Sequence, residues 1–287
     1  MTESRVCKRG TNNGMRPCMV SVDVEEDLAD LAQDSPAEKS FRGVENLDRI
    51  LGVFDEFGIK ASLFTTGEVI HRYPRLVEKW STKHEIACHG YYHVPLHELS
   101  DVERESQLED CCKTHMAVLG GTPKGFRAVM HTIDSAQLGL LEKFGFTYDS
   151  SVVPSYIPFR KYVGYKGKAP ALPYHPSQDN YRERGSLSIL EIPNAPLVLG
   201  FPLTGTWIRV LGPGLYRGLL AVKKPAFVSL AMHPWDAVEY QGSFSRGSGE
   251  PFIRHLETIL RMLVKDYRFI CADEVASSFH VESGGSR

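Results

Sequence analysis

The sequence predicts an α/β protein built on a parallel sheet that is closed or nearly closed into a barrel. Three observations carry this expectation. Short apolar runs alternate with longer amphipathic stretches from residue 18 onward, no repeat period or low-complexity block interrupts them, and polar residues recur just after the apolar runs. In a parallel barrel those positions are the carboxyl ends of strands, where chemistry collects. No GxGxxG follows the first run, which counts against an open, doubly wound dinucleotide-binding sheet. The length of 287 residues fits one large domain, and a hydrophobic content of 42% with 24% charge is enough to bury a sizeable core.

Residues 18–24 (CMVSVDV) read as a buried strand ending in acids. Apolar residues at 44, 47, 50, 51, 54 and 57 recur at helical spacing, predicting a helix over 44–57 with Gly58 at its C-terminal cap. Residues 60–65 read as a second strand, 67–80 as a helix, and 85–88 as a third strand running into His89-Gly90-Tyr91-Tyr92-His93. Ser100 with Glu103 three residues on forms a capping box, opening a helix that stops at Gly120-Gly121. Residues 125–128 are a strand end, Asp134 caps a helix over 135–144 closed by Gly145, and 146–149 begin the next strand. Residues 152–186 carry five prolines and several aromatics, and read as a rim excursion of the kind that shapes a binding site. Regular structure resumes at 187–192, 225–232, a helix over 251–265 and a strand over 267–271. A second, apolar rim insertion is placed at 195–222, with flexible tails at 1–16 and 276–287 around a single barrel over 17–275.

Composition excludes several classes of function. Lys and Arg total 33 against 35 Asp and Glu, a net charge of −2, so there is no basic excess to grip phosphate backbones and nucleic acid is not an expected partner. The six cysteines, at 7, 18, 88, 111, 112 and 271, lack CxxC spacing, which argues against a disulfide framework or zinc ribbon and for a reducing, cytoplasmic setting. The polar stretch 1–18 lacks the apolar run of a signal peptide, and no membrane-spanning run is expected.

Candidate chemistry gathers at four strand ends: the acids Asp23, Glu25, Glu26 and Asp27, the pair His89 and His93, Arg127, and His233-Pro234-Trp235-Asp236. Histidines at i and i+4 share a face if helical, and can present two imidazole nitrogens to one metal ion. A carboxylate from another strand completes a 2-His-1-carboxylate set, which leaves coordination positions open for water and substrate. Each signal alone has a structural reading: the histidines as packing residues, the acids as a solvated helix N-terminus, Arg127 as an ion-pair partner, His233 as a core histidine.

The ordered combination resembles the polysaccharide deacetylases of the NodB-homology type, carbohydrate esterase family 4. It does so through Ser21-Val22-Asp23-Val24-Glu25, His89-Gly90-Tyr91-Tyr92-His93, Gly125-Phe126-Arg127-Ala128 and Leu230-Ala231-Met232-His233-Pro234-Trp235. The similarity covers residues 17–275. It is nearest the branch with DVE and HPW motifs that includes exopolysaccharide-synthesis deacetylases, which Tyr148-Asp149-Ser150-Ser151 and the stretch 201–209 also resemble. Two positions depart from the family: Val24 stands where many members have a second aspartate, and Val129 where a proline usually follows the arginine.

The resemblance implies a distorted (β/α)7 barrel and metal-dependent hydrolysis of an N-acylated amino sugar or glycan precursor. It implies a divalent metal on Glu25, His89 and His93, with Glu26 as the other candidate carboxylate. Zinc is the first expectation; cobalt, nickel and iron suit the same donors. Asp23 is implied as general base, His233 as general acid and Arg127 as the residue that orients Asp23, with Asp149 or Asp236 tuning His233. Trp235, Tyr92 and Asp149 are the candidate substrate contacts, alongside Tyr91, Tyr156, Phe159, Tyr162 and Trp207. The apolar stretch 195–222, with Arg209, Arg217, Lys223 and Lys224, reads either as barrel packing or as a lip for a lipid-linked substrate in peripheral contact with a membrane. The alternatives are an allantoinase-like amide hydrolase on the same scaffold and a catalytically silent carbohydrate-binding relative. A non-haem iron oxygenase would share the triad, but no site for an oxidative cosubstrate is legible.

Overall fold

The computed structural model describes residues 14–27, 39–154, 167–197, 200–240 and 246–283. In chain order the elements are β1 (Arg16–Val24), α1 (Arg42–Glu45), α2 (Asp48–Glu56), β2 (Ser62–Thr65), α3 (Gly67–Arg72), α4 (Pro74–Ser81), β3 (Glu85–Cys88) and α5 (Asp101–Leu119). They continue with β4 (Gly125–Phe126), α6 (Ser135–Lys143), β5 (Tyr148–Asp149), β6 (Leu190–Glu191), β7 (Leu203–Thr204) and α7 (Gly205–Val222). The last are β8 (Val228–Met232), α8 (Glu250–Leu263), β9 (Tyr267–Ile270) and α9 (Ala272–Ser283).

The strands form one curled parallel sheet in the order β6-β5-β4-β3-β2-β1-β8-β7. β1 is its centre. Cys18 to Val22 pair with β8 along one edge, while the other edge is shared by β9, opposite Arg16 to Met19, and β2, opposite Ser21 to Val24. Among the described residues β6 and β7 do not pair, so the sheet is a barrel left open at that seam. All pairings are parallel, which brings the carboxyl ends of β1, β3, β4 and β8 to one rim.

The pleat of β1 sorts its side chains. Val20, Val22 and Val24 join the outer core with Ile50 and Phe54 of α2 and Leu256 and Ile259 of α8. Met19 faces the barrel interior with Phe64, Tyr148 and Leu190, and period-two alternation puts Ser21 and Asp23 on that same inner side. A third cluster lies under α5 and α6, where Leu108, Leu138 and Leu141 meet Phe126 and Ile189.

Local signals explain most element ends. The Ser100–Glu103 capping box opens α5, which ends at Gly120 with φ +73. Asp134 accepts the Gln137 N–H at the start of α6. The helix expected over 67–80 is two helices, because Pro74 lacks the N–H that a continuous helix needs and instead occupies the first turn of α4. The helix expected over 44–57 likewise divides into α1 and α2.

Two boundaries differ from expectation. Residues 195–222 contain the β7–α7 unit rather than a rim insertion, and α7 supplies Ile208, Tyr216, Leu219 and Leu220 to the outer core. Residues 276–283 are not a tail, since α9 runs to Ser283 with Ala276 buried and Phe279 packed on the inner cluster. Within the excursion at 152–186, Tyr174 is fully buried and exchanges backbone hydrogen bonds with Glu191. Among the described residues no helix is long and apolar enough to cross a membrane.

Candidate active site

Asp23 and Glu25 stand two residues apart at the carboxyl end of β1, so the pleat that turns Val24 into the outer core directs both acids inward. This accounts for the D-x-E spacing at the position where Val24 departs from the family pattern. Glu26 is directed elsewhere and pairs with Lys39 at 2.6 Å.

His89 and His93 follow β3, but the segment between them is an irregular turn rather than the helix that i, i+4 spacing would favour. Gly90 has φ +81, a conformation open to glycine. The first residues of α3 grip this turn: Gly67 N donates to Gly90 O at 2.9 Å and Glu68 N to Tyr91 O at 2.9 Å. A Cβ on Gly67 would come within 2.3 Å of Tyr91, so the close approach requires glycine there.

The two Nε2 atoms converge on Glu25 Oε2, at 2.8 Å from His89 and 2.7 Å from His93. His89 Nδ1 lies 2.8 Å from the Arg127 carbonyl, which can only accept, so Nδ1 carries the proton and Nε2 presents its lone pair in the neutral ring. The three ligand atoms all lie within 4.8 Å of one another, and the buried Glu25 Oε2 has no well-directed hydrogen-bond donor. Such a convergence of electron-pair donors fits a divalent cation. Burial raises the Glu25 carboxyl, but His93 and His89 outweigh it and hold it well below the usual carboxylate range. Burial lowers His93, but the Glu25 charge outweighs it and raises the ring, so proton and cation compete for this position.

Arg127 is fully buried and every guanidinium nitrogen is engaged. Nη1 donates to Asp23 Oδ1 at 2.5 Å and Ser21 Oγ at 3.0 Å, Nε to the Ser150 carbonyl at 3.0 Å, and Nη2 to Ser150 Oγ at 3.0 Å and Asn194 Oδ1 at 3.3 Å. The guanidinium lies 4.0 Å over the Phe64 ring. Burial raises the Asp23 carboxyl, but Arg127, with His89, His233 and His131, brings it below its ordinary value. With Oδ1 held, Asp23 Oδ2 faces His233 Nε2 at 3.9 Å.

His233 follows β8, and its Nε2 is 3.7 Å from Glu25 Oε1. Its ring stacks on Trp235, with centroids 4.1 Å apart and planes 9° from parallel. Neither acid proposed to tune this imidazole reaches it. Asp236 Oδ2 accepts from the His233 backbone N–H at 2.9 Å, while Oδ1 pairs with Arg209 Nε at 2.8 Å, both side chains fully buried. Gly205 makes room, since a Cβ there would stand 1.8 Å from Asp236 Oδ2. Arg209 is therefore an internal partner of Asp236, not a surface cation facing phosphates.

Asp149 is fully buried and not a sugar contact. Its carboxylate accepts from Ser151 Oγ at 2.7 Å and Ser151 N at 3.0 Å, and faces the carboxyl of Glu191. Burial and the Asp149 charge push Glu191 well above its ordinary value, so the pair shares a proton. Trp235 is 2% exposed with one face covered by His233, so it supports the imidazole rather than stacking on a sugar. Tyr92 does lie on the rim, 44% exposed, edge-on to Tyr91 and beneath Lys39. Trp207 packs partly buried against the outer core, and Tyr156, Phe159 and Tyr162 lie outside the described residues. Asn194 and His131 join the site without having been singled out in the sequence, and Ser150 joins it from a stretch quoted there only for its resemblance. The signal that could have found Asn194 is its place just past β6, the same strand-end rule that found the others.

The profile of the family Polysaccharide deacetylase matches residues 34–148. The Peptidoglycan deacetylase-like protein FGM2 of Gibberella zeae is 32% identical over 118 residues, which is 39% of this chain and 34% of that protein, so the match spans about a third of the relative. Among solved structures, a Mycobacterium smegmatis protein described as a polysaccharide deacetylase is 20% identical with a TM-score of 0.65, covering 96% of this chain and 94% of that one. Puue allantoinase is 17% identical with a TM-score of 0.62 over 100% of both chains. These likenesses show the shared barrel, and the sequence matches to residues 34–148 and to the fungal relative make that part of the chain similar to the polysaccharide deacetylase family.

Proposed function

We propose that this chain is a metal-dependent hydrolase that removes an N-acyl group, N-acetyl first, from an amino sugar in a polysaccharide or glycan precursor. The observation that carries the reading is one convergence: Glu25, His89 and His93 meet within 4.8 Å, flanked by Asp23 in the grip of Arg127 and by His233 across the same opening. A divalent ion held by Glu25, His89 and His93, zinc before cobalt, nickel or iron, would polarise the acyl carbonyl and make water acidic.

The protein's own groups supply the proton movements. Arg127 occupies Asp23 Oδ1, so Oδ2 is the oxygen that accepts the proton of the attacking water. The lowered pKa of Asp23 keeps it ionised and ready to accept. Water oxygen bonds to the acyl carbon, the C–N bond breaks, and His233 Nε2 gives its proton to the departing nitrogen, because an amine anion is a very poor leaving group. The 3.9 Å between Asp23 Oδ2 and His233 Nε2 lets the two groups serve opposite ends of one amide. The products are a carboxylate and a free amino sugar. Tyr92 at the rim is the described aromatic placed to meet a sugar ring.

For the carrier, we infer a lipid-linked precursor. Val210 and Val222 of α7 are 50% and 78% exposed, and Arg217 within the helix, with Lys223 and the Asp266-paired Lys224 just after it, are exposed as well, a composition that suits an anionic lipid surface. Binding of the protein to anionic but not neutral liposomes is expected; equal activity on lipid-free glycan with no liposome binding would remove this extension.

Metal content of tag-free protein, followed by acetate release from N-acetylglucosamine oligomers with allantoin as the competing substrate, tests the main reading. Near one equivalent of metal in wild type, little in His89→Ala and His93→Ala, and acetate release are expected. Tight oligosaccharide binding without any acyl release would favour the silent carbohydrate-binding alternative, and hydrolysis of allantoin alone would favour the allantoinase-like one.

A further inference from the structure

We propose that Asn194 and His131 are positioning residues for the Arg127–Asp23 pair, with the neutral His131 ring fixing Asn194 so that its carbonyl oxygen faces Arg127. The inference rests on the deacetylase reading only for its kinetic test; the bonding pattern stands independently of it.

Donor and acceptor arithmetic leaves one arrangement. Arg127 Nη2 can only donate, and it meets Asn194 at 3.3 Å, so the amide atom there is the oxygen. Ser229 Oγ donates to the same oxygen at 2.7 Å. The other amide atom is therefore the NH2 group, which donates to the Ser150 carbonyl at 3.4 Å and meets His131 Nδ1 at 3.2 Å. His131 Nδ1 must then accept, and its proton is on Nε2. Burial and the neighbouring Arg127 charge hold this ring down to about 3, so it stays neutral.

The position of the network gives it a task. Asn194 lies just past β6 and ties that strand end to Arg127 after β4 and Ser150 after β5 and, across the seam where β6 and β7 do not pair, to Ser229 on β8. The Ser229 bond links the two sides of that seam, and the Arg127 bond helps to hold the guanidinium that holds Asp23. The backbone is also committed: Met130 and His131 adopt φ +54 and +56, a region uncommon outside glycine that histidine enters more readily than methionine does. Strain of this kind persists where the surroundings over-determine it, and it clusters at functional sites.

The test separates the ring from the backbone. His131→Gly satisfies the left-handed conformation but removes the acceptor, whereas His131→Asn tolerates the conformation and places an oxygen where Nδ1 stands. Asn194→Ala and His131→Gly are expected to lower kcat about tenfold with KM within about twofold, and His131→Asn to stay within about threefold of wild type. In 15N NMR of the full chain, with His131 assigned by its loss in the glycine variant, the ring is expected in the neutral Nε2–H form, and Asn194→Ala to disturb that form. Wild-type kcat in His131→Gly, or an Nδ1–H tautomer in wild type, would overturn the proposal. If wild type hydrolyses no N-acyl sugar at all, the functional reading fails and the tautomer measurement still decides the network.

Discussion

The two walls of the site are built in opposite ways. On the wall from β1 and β3, Glu25 and His89 are 3% and 2% exposed, and the neighbouring Asp23 is fixed by an arginine with no free nitrogen. On the wall from β8, His233 is 28% exposed, and its neighbours hold its backbone and one ring face rather than its nitrogens. The first wall needs charged groups close together and out of water, which is tolerable only with compensating charge and hydrogen bonds. In the proposed mechanism the second carries the group that gains and gives a proton in each cycle, and access to solvent serves that exchange. The contrast teaches that rigidity is concentrated around Glu25, His89 and Asp23, while His233, the proposed proton donor, is aligned by packing.

The sharpest way to break the contrast is on the rigid wall. Asp23→Asn should bind metal normally yet lower kcat by about a thousandfold, checked by metal analysis beside acetate release; activity near wild type would remove Asp23 as the base. Next comes the support of the opposite wall. Arg209→Met leaves Asp236 as an unpaired buried charge and should destabilise the fold by about 3–5 kcal/mol, read by urea denaturation. On the open wall, His233→Ala should cost about a hundredfold in kcat with metal content unchanged, the smaller penalty reflecting solvent as a substitute proton source.

The smallest effect concerns a carboxyl pair behind the site. Glu191 is raised in the folded state, so its contribution is complete below its unfolded value of 4.5 and is lost as pH rises through the folded one. At pH values above 4.5 and below the raised folded value, the unfolded chain releases this proton while the native state retains it. Glu191→Gln, which keeps an acceptor for the Val152 N–H, should therefore melt at a temperature that rises relative to wild type by about a few degrees across that range. A constant difference at all pH values would show that the pair does not share a proton.

Long, periodic or capped segments were legible, and short ones were not. The strand over 18–24, the capping box at Ser100 and the Asp134 cap each rest on neighbours within a few residues, and each appears at the expected place. β7 spans only Leu203–Thr204, too few residues for alternation to register, and Gly212 and Pro213 interrupt the helical signal of α7, so the unit read as an insertion. The burial of Trp235 and Asp149 was equally hidden. It depends on His233 stacking in one case and on Glu191, far along the chain, in the other.

By itself, the sequence determined which residue types stand at the strand ends and, through the two-residue pleat, that Asp23 and Glu25 would share a face. Only the tertiary structure decided that His89 and His93 meet Glu25 across two strands, that Arg209 lies buried against Asp236, and that Asn194 joins Arg127 to Ser229 across the open seam. The physical reason is range. Pleat parity and helix caps are set by local backbone geometry, whereas burial, ion pairing and tautomer are set by groups that come together only when the sheet curls.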